Sequence, residues 1–266
     1  MSAQSNNDVN QTLVLREQPA PGVTLLRLNR PEARNALNQA LRKELANHFI
    51  ALTDDMTTRC VVITGNTKAF AAGADIFEMA DVGAIEMMQR GIKRLLEPIS
   101  NFPKPIIAAV NGFALGGGSE LAMHADIIIA GERAKFGFPE VTLGVLPGGG
   151  GTQRLMRAAG KFKAMRWLLS GDLISAAEAL SMNMISEVVA DDEVEKHAIA
   201  LASRLAKLAP LAVAQIKEVV LAGEDISLES ALALERKALQ LLFASTDQKE
   251  GMRAFIEKRP AKFEGR

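Results

Sequence analysis

Residues 105–122 read Pro-Ile-Ile-Ala-Ala-Val-Asn-Gly-Phe-Ala-Leu-Gly-Gly-Gly-Ser-Glu-Leu-Ala. The segment opens with an apolar run of strand length, Ile106–Val110. It passes a glycine turn at Gly116, Gly117 and Gly118, and enters a helical pattern over residues 119–124. A strand that feeds a helix through glycines is an elementary step of an α/β fold. Such a turn also presents the unpaired N–H groups and the positive dipole end of a helix start. These suit negative charge, either resting as in a phosphate or transient as in an oxyanion.

The surrounding chain repeats this alternation. Val23–Leu28, Cys60–Thr64 and residues 126–130 are short, rich in Val, Leu and Ile, and mostly apolar. That pattern predicts strands buried on both faces, as in a parallel sheet. Residues 38–54 place Leu41, Leu45, Phe49 and Leu52 at helical spacing, and residues 84–97 form a second helical pattern that Pro98 is expected to end. From Ser175 onward the pattern is mostly helical, with candidate helices at 191–208, 211–222, 227–243 and 246–258. Ser227 and Thr246 are the N-cap candidates of the last two. The order implies α/β layering with crossover connections, followed by a helical tail.

Composition bounds the chemistry. The chain has 266 residues with 31 Lys and Arg against 31 Asp and Glu, and 48% hydrophobic residues, which is globular rather than disordered. Zero net charge argues against a broad nucleic-acid groove. A single cysteine, Cys60, makes neither an internal disulfide nor a cysteine-rich zinc site, so a reducing cytoplasm is the expected home. No run is long enough to span a bilayer, and polar residues 1–10 read as a frayed, flexible terminus. Tyrosine is absent, which excludes any mechanism needing a tyrosine acid, base or nucleophile. His48, His124 and His197 are scattered without metal-ligand spacing, so no metal is expected and proton chemistry falls to carboxylates.

Eleven of the 21 glycines lie between Gly112 and Gly151, in two clusters at 116–118 and 148–151. Neither cluster forms a G-x-x-x-x-G-K-[ST] loop or a dinucleotide-binding G-x-G-x-x-G. Leu121 stands where a nucleophile elbow around Ser119 would need glycine. Taken alone, the clusters also fit flexible loops or close helix packing. Glu120 follows the first cluster and Glu140 precedes the second. Each alone reads equally as a dipole contact or a solvated turn, and only the fold can bring the two together.

Three stretches in order resemble the enoyl-CoA hydratase/isomerase (crotonase) family. They are residues 68–76 (Lys-Ala-Phe-Ala-Ala-Gly-Ala-Asp-Ile), the 105–122 segment, and residues 136–154, from Phe136-Gly-Phe-Pro-Glu140 through the glycine cluster to Thr152-Gln-Arg154. The similarity runs from about Leu25 to Lys258. It implies a crotonase-like (ClpP/crotonase) spiral of repeated ββα units over residues 11–200, with a C-terminal helical oligomerisation region over residues 201–266.

The resemblance also implies roles for particular residues. An acyl-CoA thioester oxygen would sit between the backbone N–H groups of Ala74 and Gly117, and Glu120 and Glu140 would grip one water. The expected reaction is hydration of a trans-2-enoyl-CoA, with coenzyme A as part of the substrate and no further cofactor. Gly148 matches a position shaping the water and acyl site, and Lys68 one near the CoA phosphates. Ala72, Asp75 and Ile76 belong to the CoA-binding turn, with Asp75 reading as a turn residue rather than an acid. Phe255 and Lys258 match positions that reach a neighbouring subunit's CoA. Glu32 and Phe77 stand where some members carry phosphate-binding lysines, and Arg34 is a substitute for one of them.

The family's assemblies imply a homo-oligomer, a trimer or a dimer of trimers. Neither a nucleic-acid nor a membrane partner is expected. Other enolate chemistry of the same fold, such as double-bond isomerisation, is the near alternative, and the presence of both glutamates favours hydration. RNA binding would want a basic helix face, and Arg90, Lys93 and Arg94 give only a short cluster. The whole sequence is most similar to bacterial hydratases of aromatic catabolism, phenylacetate degradation among them. On that basis Arg90, Lys93 or Arg94 is expected to meet a distal carboxylate of the acyl chain.

Overall fold

The computed structural model describes residues 12–266, and the expected frayed terminus at residues 1–10 lies outside the described residues. Strands β1 (Val14–Ala20), β2 (Val23–Leu28), β3 (Cys60–Thr64), β5 (Ile106–Val110), β7 (Ile127–Gly131) and β10 (Glu187–Val189) form a six-stranded sheet in that spatial order. Strands β4 (Ala69–Ala71), β6 (Phe113–Leu115), β8 (Lys135–Gly137) and β9 (Leu173–Ser175) form a second sheet. The strand pairs β3/β4, β5/β6 and β7/β8 each place one strand in each sheet. Their partners are parallel from one unit to the next, through Val61↔Ile106 and Ile107↔Ile127 in the first sheet and Phe113↔Lys135 in the second. This is the spiral of ββα units that the sequence resemblance implied.

The apolar strands are buried on both faces, as their composition predicts. Val61, Ile63, Ile106, Ala108 and Val110 face the main core. Cys60, Val62, Ile107, Ala109 and Ile129 face the opposite side. The main core is closed by α1 (Gln39–Thr53), whose Leu41, Leu45, Phe49 and Leu52 are all buried; Asn38 caps its first turn by accepting the Leu41 N–H at 2.8 Å.

Next come α2 (Ala84–Arg90) and α3 (Ile92–Ser100), where the sequence pattern predicted one helix ended by Pro98. The break falls instead at Gly91, which turns left-handed (φ 59°) and caps α2 through its N–H to the Met88 carbonyl. Pro98 sits inside α3, so the glycine conformation rather than the proline decides where the helix divides.

Helix α4 (Gly117–Ala122) follows β6, and α5 (Gly151–Ala159), α6 (Lys161–Ser170) and α7 (Ala176–Ser181) follow β8. Helix α8 (Val194–Leu205) covers the outer face of the six-stranded sheet with Val194, Ala198 and Ala202, spaced four apart so that one stripe of small side chains meets the strands. Residue 200, the expected boundary between core and tail, lies inside α8. The helices α9 (Pro210–Gly223), α10 (Leu228–Leu242) and α11 (Thr246–Ile256) complete the chain. Ser227 caps α10 as expected. The cap of α11 is Ser245 rather than Thr246, because Ser245 is the last extended residue and its hydroxyl accepts the Gln248 N–H at 3.1 Å. Strand β10 interrupts the stretch read as mostly helical from Ser175 onward. Among the described residues no single helix is long and apolar enough to cross a membrane.

The second unit is tied to the first at Gly118, where an added Cβ would lie 2.0 Å from the Ala71 carbonyl oxygen. Both partners there are backbone and neither can yield. Gly118→Ala is therefore expected to destabilise the fold by about 3 kcal/mol. Urea unfolding checks this, and an unchanged midpoint would show that α4 can move away from β4.

Candidate active site

Three loops meet around α4. The first is the turn after β4. Its Leu37 neighbour donates its N–H to the Gly73 carbonyl at 2.7 Å, which pairs the start of α1 with Ala74 in an isolated bridge. The Ala74 N–H has no acceptor among the described residues. The second is the glycine turn. Gly117 opens α4, so its N–H is one of the orphan donors of the helix start. A Cβ on Gly117 would lie 3.5 Å from the Ala74 nitrogen, so the two N–H groups are neighbours. Two fixed donors at the positive end of a helix, with no protein acceptor, form a pocket for developing negative charge.

Ser119 locks this turn. It is fully buried, with its hydroxyl 2.5 Å from the Ala114 carbonyl and 3.1 Å from the Gly137 carbonyl, and it accepts the Gly137 N–H at 3.2 Å. Its hydroxyl is spent on joining β6 to β8, as the absence of an elbow glycine suggested.

The third loop carries Glu140, on a short 3-10 turn Pro139–Leu143 directly after β8. Gly116, left-handed at φ 49°, leaves room for it: a Cβ there would lie 2.4 Å from Glu140 Oε1. Glu140 Oε2 is buried without a hydrogen-bond partner among the described residues. Glu120, by contrast, is gripped. Its Oε1 accepts the Gly149 N–H at 2.7 Å and the Gly151 N–H at 2.8 Å.

Burial raises both carboxyls, but their surroundings separate them. Desolvation is the main cause at Glu140, and the charge of Glu120 adds to it; the two outweigh a backbone hydrogen bond and carry the group up to about 7. At Glu120 burial also dominates, and it is opposed by the two amides and by the charges of Arg42 and Arg154. Glu120 thus has part of its charge met by the two amides, while its less supported neighbour exchanges a proton near neutrality.

A profile of the family described as enoyl-CoA hydratase/isomerase matches residues 18–266. The chain belongs to the enoyl-CoA hydratase/isomerase family. It is 44% identical over 258 residues to the 2,3-dehydroadipyl-CoA hydratase of Escherichia coli, covering 97% of this chain and 100% of that one. It is 43% identical to the mitochondrial enoyl-CoA hydratase of Pongo abelii, over 91% of this chain and 83% of the relative. The crystal structure of enoyl-CoA hydratase from Bacillus anthracis superposes with a TM-score of 0.92 at 36% identity, covering 96% of this chain and 100% of that one.

The remaining residues that the family resemblance singled out are spread more widely. Ala72 donates its N–H to the Arg34 carbonyl at 3.0 Å, so these two flank the turn that ends in Ala74. Asp75 accepts from Arg30 at 2.9 Å and from the Phe77 N–H at 3.2 Å, which makes it the turn residue the sequence reading favoured. Ile76, Arg34, Lys68 and Gly148 are exposed around the same loops. Glu32 and Phe77 are exposed too, and Phe77 is 99% accessible. Phe255 and Lys258 stand exposed on and just after α11.

Among the distal cations, Arg90 is paired with Glu86 at 2.8 Å and Arg94 donates to the Gln89 carbonyl at 3.2 Å, while Lys93 is exposed. The sequence reading missed Arg42, on the second turn of α1. Its side chain is half-buried without a hydrogen bond or ion pair among the described residues. Burial lowers it, while Glu78, Glu120 and Asp75 oppose that and Arg90 adds to it. An arginine among apolar residues on a helix gives no sequence signal of its own. His197 pairs with Glu187 at 2.7 Å, and Cys60 is buried with its thiol pushed up to about 12, so neither is poised to react.

The raised Glu140 carboxyl has a consequence for stability. The folded state binds this proton more tightly than the unfolded state, whose carboxyl keeps a value near 4.5, so its contribution falls as pH rises from about 4.5 to about 7. Glu140→Gln should match the wild type near the acid end. At pH 8 it should be the more stable by about 2 kcal/mol, a figure already reduced for solvent screening. Urea unfolding at both ends of that range checks this, and a variant less stable at pH 8 would contradict the assignment.

Proposed function

We propose that this chain is an enoyl-CoA hydratase that adds water reversibly across the α,β double bond of a trans-2-enoyl-CoA to give a 3-hydroxyacyl-CoA. One observation carries the reading. A fixed carboxylate, Glu120, and a proton-exchanging carboxyl, Glu140, lie on either side of a turn that offers the paired N–H groups of Ala74 and Gly117.

Each group then has a task. The two N–H groups take up the charge that develops on the thioester oxygen, which polarises the conjugated system and makes Cβ electrophilic. Glu120 orients the water and accepts the proton it loses as its oxygen attacks Cβ, and that proton is passed on to restore the one Glu140 gives up. Glu140, near its midpoint at neutral pH, delivers a proton to Cα and recovers one in the reverse direction. Oxygen ends on Cβ and hydrogen on Cα, and the balance calls for no oxidant, reductant or cofactor beyond the CoA of the substrate. Two carboxyl groups favour hydration over isomerisation, which needs only one proton carrier. Glu120→Gln and Glu140→Gln are each expected to slow hydration about a hundred-fold or more, with binding of the CoA product kept within about threefold. Loss of the enoyl-thioester absorbance follows the reaction, and near-wild-type rates in both variants would sink the proposal.

For the acyl chain, the relative that acts on 2,3-dehydroadipyl-CoA and the unpaired Arg42 support a substrate ending in a second carboxylate. Arg42 replaces Arg94 and Lys93 as the favoured partner, because its guanidinium is half-buried and senses Glu120. Arg42→Leu is expected to lower kcat/KM for 2,3-dehydroadipyl-CoA about tenfold or more beyond whatever loss it causes with crotonyl-CoA, where only its charge near Glu120 is missed. Equal specificity constants for the two substrates in the wild type would remove the case for a diacid.

We extend the proposal to a homo-oligomer built through the tail. Ile216, Val220, Leu232, Leu239, Leu241 and Ile256 are large apolar side chains left exposed on α9, α10 and α11. A trimer or a dimer of trimers would cover them and would bring Phe255 and Lys258 to a neighbouring site.

A further inference from the structure

Glu120 and His124 are four residues apart, at the start and just beyond the end of α4, and both hold Gly149. Glu120 takes its N–H at 2.7 Å, and His124 Nε2 lies 3.1 Å from its carbonyl oxygen. The other ring nitrogen, Nδ1, faces Arg154 Nη2 at 3.0 Å and Ser100 Oγ at 2.9 Å, and that hydroxyl is also 3.2 Å from the Leu96 carbonyl. A guanidinium only donates and a carbonyl only accepts. The two contacts together therefore fix the ring as the neutral tautomer with its proton on Nε2. Burial and the Arg154 charge agree, pushing His124 down to about 4.

We propose that His124 is a positioning residue for Glu120: its Nε2–H pins the Gly149 carbonyl, and so fixes the N–H that aims the carboxylate at water. Arg154 serves this arrangement from α5, where its own N–H bonds the Gly150 carbonyl at 2.9 Å. Guanidinium, imidazole and glycine loop therefore form one closed unit. The loop has few side chains of its own to hold it, since Gly148, Gly149, Gly150 and Gly151 are consecutive. This inference rests on the hydratase reading, in which Glu120 works on the water.

The test compares two amides in the full chain. His124→Asn keeps an acceptor near Nδ1 but is too short to reach Gly149, whereas His124→Gln can place an N–H where Nε2 stood. With a trans-2-enoyl-CoA, the Asn variant is expected to lose about 10- to 100-fold in kcat, with KM within about threefold. The Gln variant should recover most of the rate. In a Glu120→Gln background, His124→Asn should add no further loss, because the histidine acts only through that carboxylate. Wild-type kcat in the Asn variant, a Gln variant as slow as Asn, or additive losses would each overturn the proposal. Independently of any variant, ¹⁵N shifts of the wild-type ring at pH 6 should show a proton on Nε2 alone, and a protonated Nδ1 would overturn it as well. An active Glu120→Gln single variant would instead count against the hydratase reading itself.

Discussion

Two backbone N–H groups converging on one carboxylate oxygen organise this molecule. Glu120 belongs to the ββα unit of β5, β6 and α4, while Gly149 and Gly151 belong to the segment after β8. Their hydrogen bonds therefore join two successive turns of the spiral through one buried side chain. A buried carboxylate is costly unless its charge is met, and here it is met by peptide dipoles rather than by a direct ion pair. The loop must come in close enough to supply those dipoles, which explains the glycines at 149 and 151, where a Cβ would lie 2.9 Å from Glu120 Oε2 and 2.7 Å from the Phe138 ring. The site and the packing of the repeats are one arrangement.

The same constraint separates the two carboxyls. Glu120 has its charge satisfied by amides, with Arg42 and Arg154 at longer range. Glu140 is buried against Glu120 with one oxygen unpartnered. Burial, with the charge of Glu120 adding to it, then raises the less satisfied partner toward neutrality. The difference between them follows from burial and hydrogen-bond supply, since the two side chains are chemically identical.

Much of this was legible in the sequence. Uniformly apolar strands such as Cys60–Thr64 announced burial on both faces, and the glycine clusters announced close backbone approach. The three family stretches named Glu120, Glu140, Ala74 and Gly117 before any geometry was available. What stayed hidden depends on conformation or on distant partners. The break between α2 and α3 depends on the backbone angle of Gly91, while Pro98, the residue sequence rules would choose, is accommodated. Short strands such as Glu187–Val189 form because a sheet edge is waiting for them, and three residues carry no periodicity to read. Arg42 and His124 gave no motif, because their significance comes from a missing partner in one case and from partners on other segments in the other.

The pairing of Ala74 and Gly117 has a consequence for how this site tolerates change over evolutionary time. Its charge-stabilising donors are peptide groups, so among the common residues only proline deletes one outright. Any other replacement acts through volume or backbone angle. Selection on these turns therefore monitors space, and the neighbouring side chains are free to drift without touching the two donors. A scaffold organised this way can diversify the substrates it accepts while holding one elementary chemical step constant, which is the separation that lets a single fold serve many thioesters.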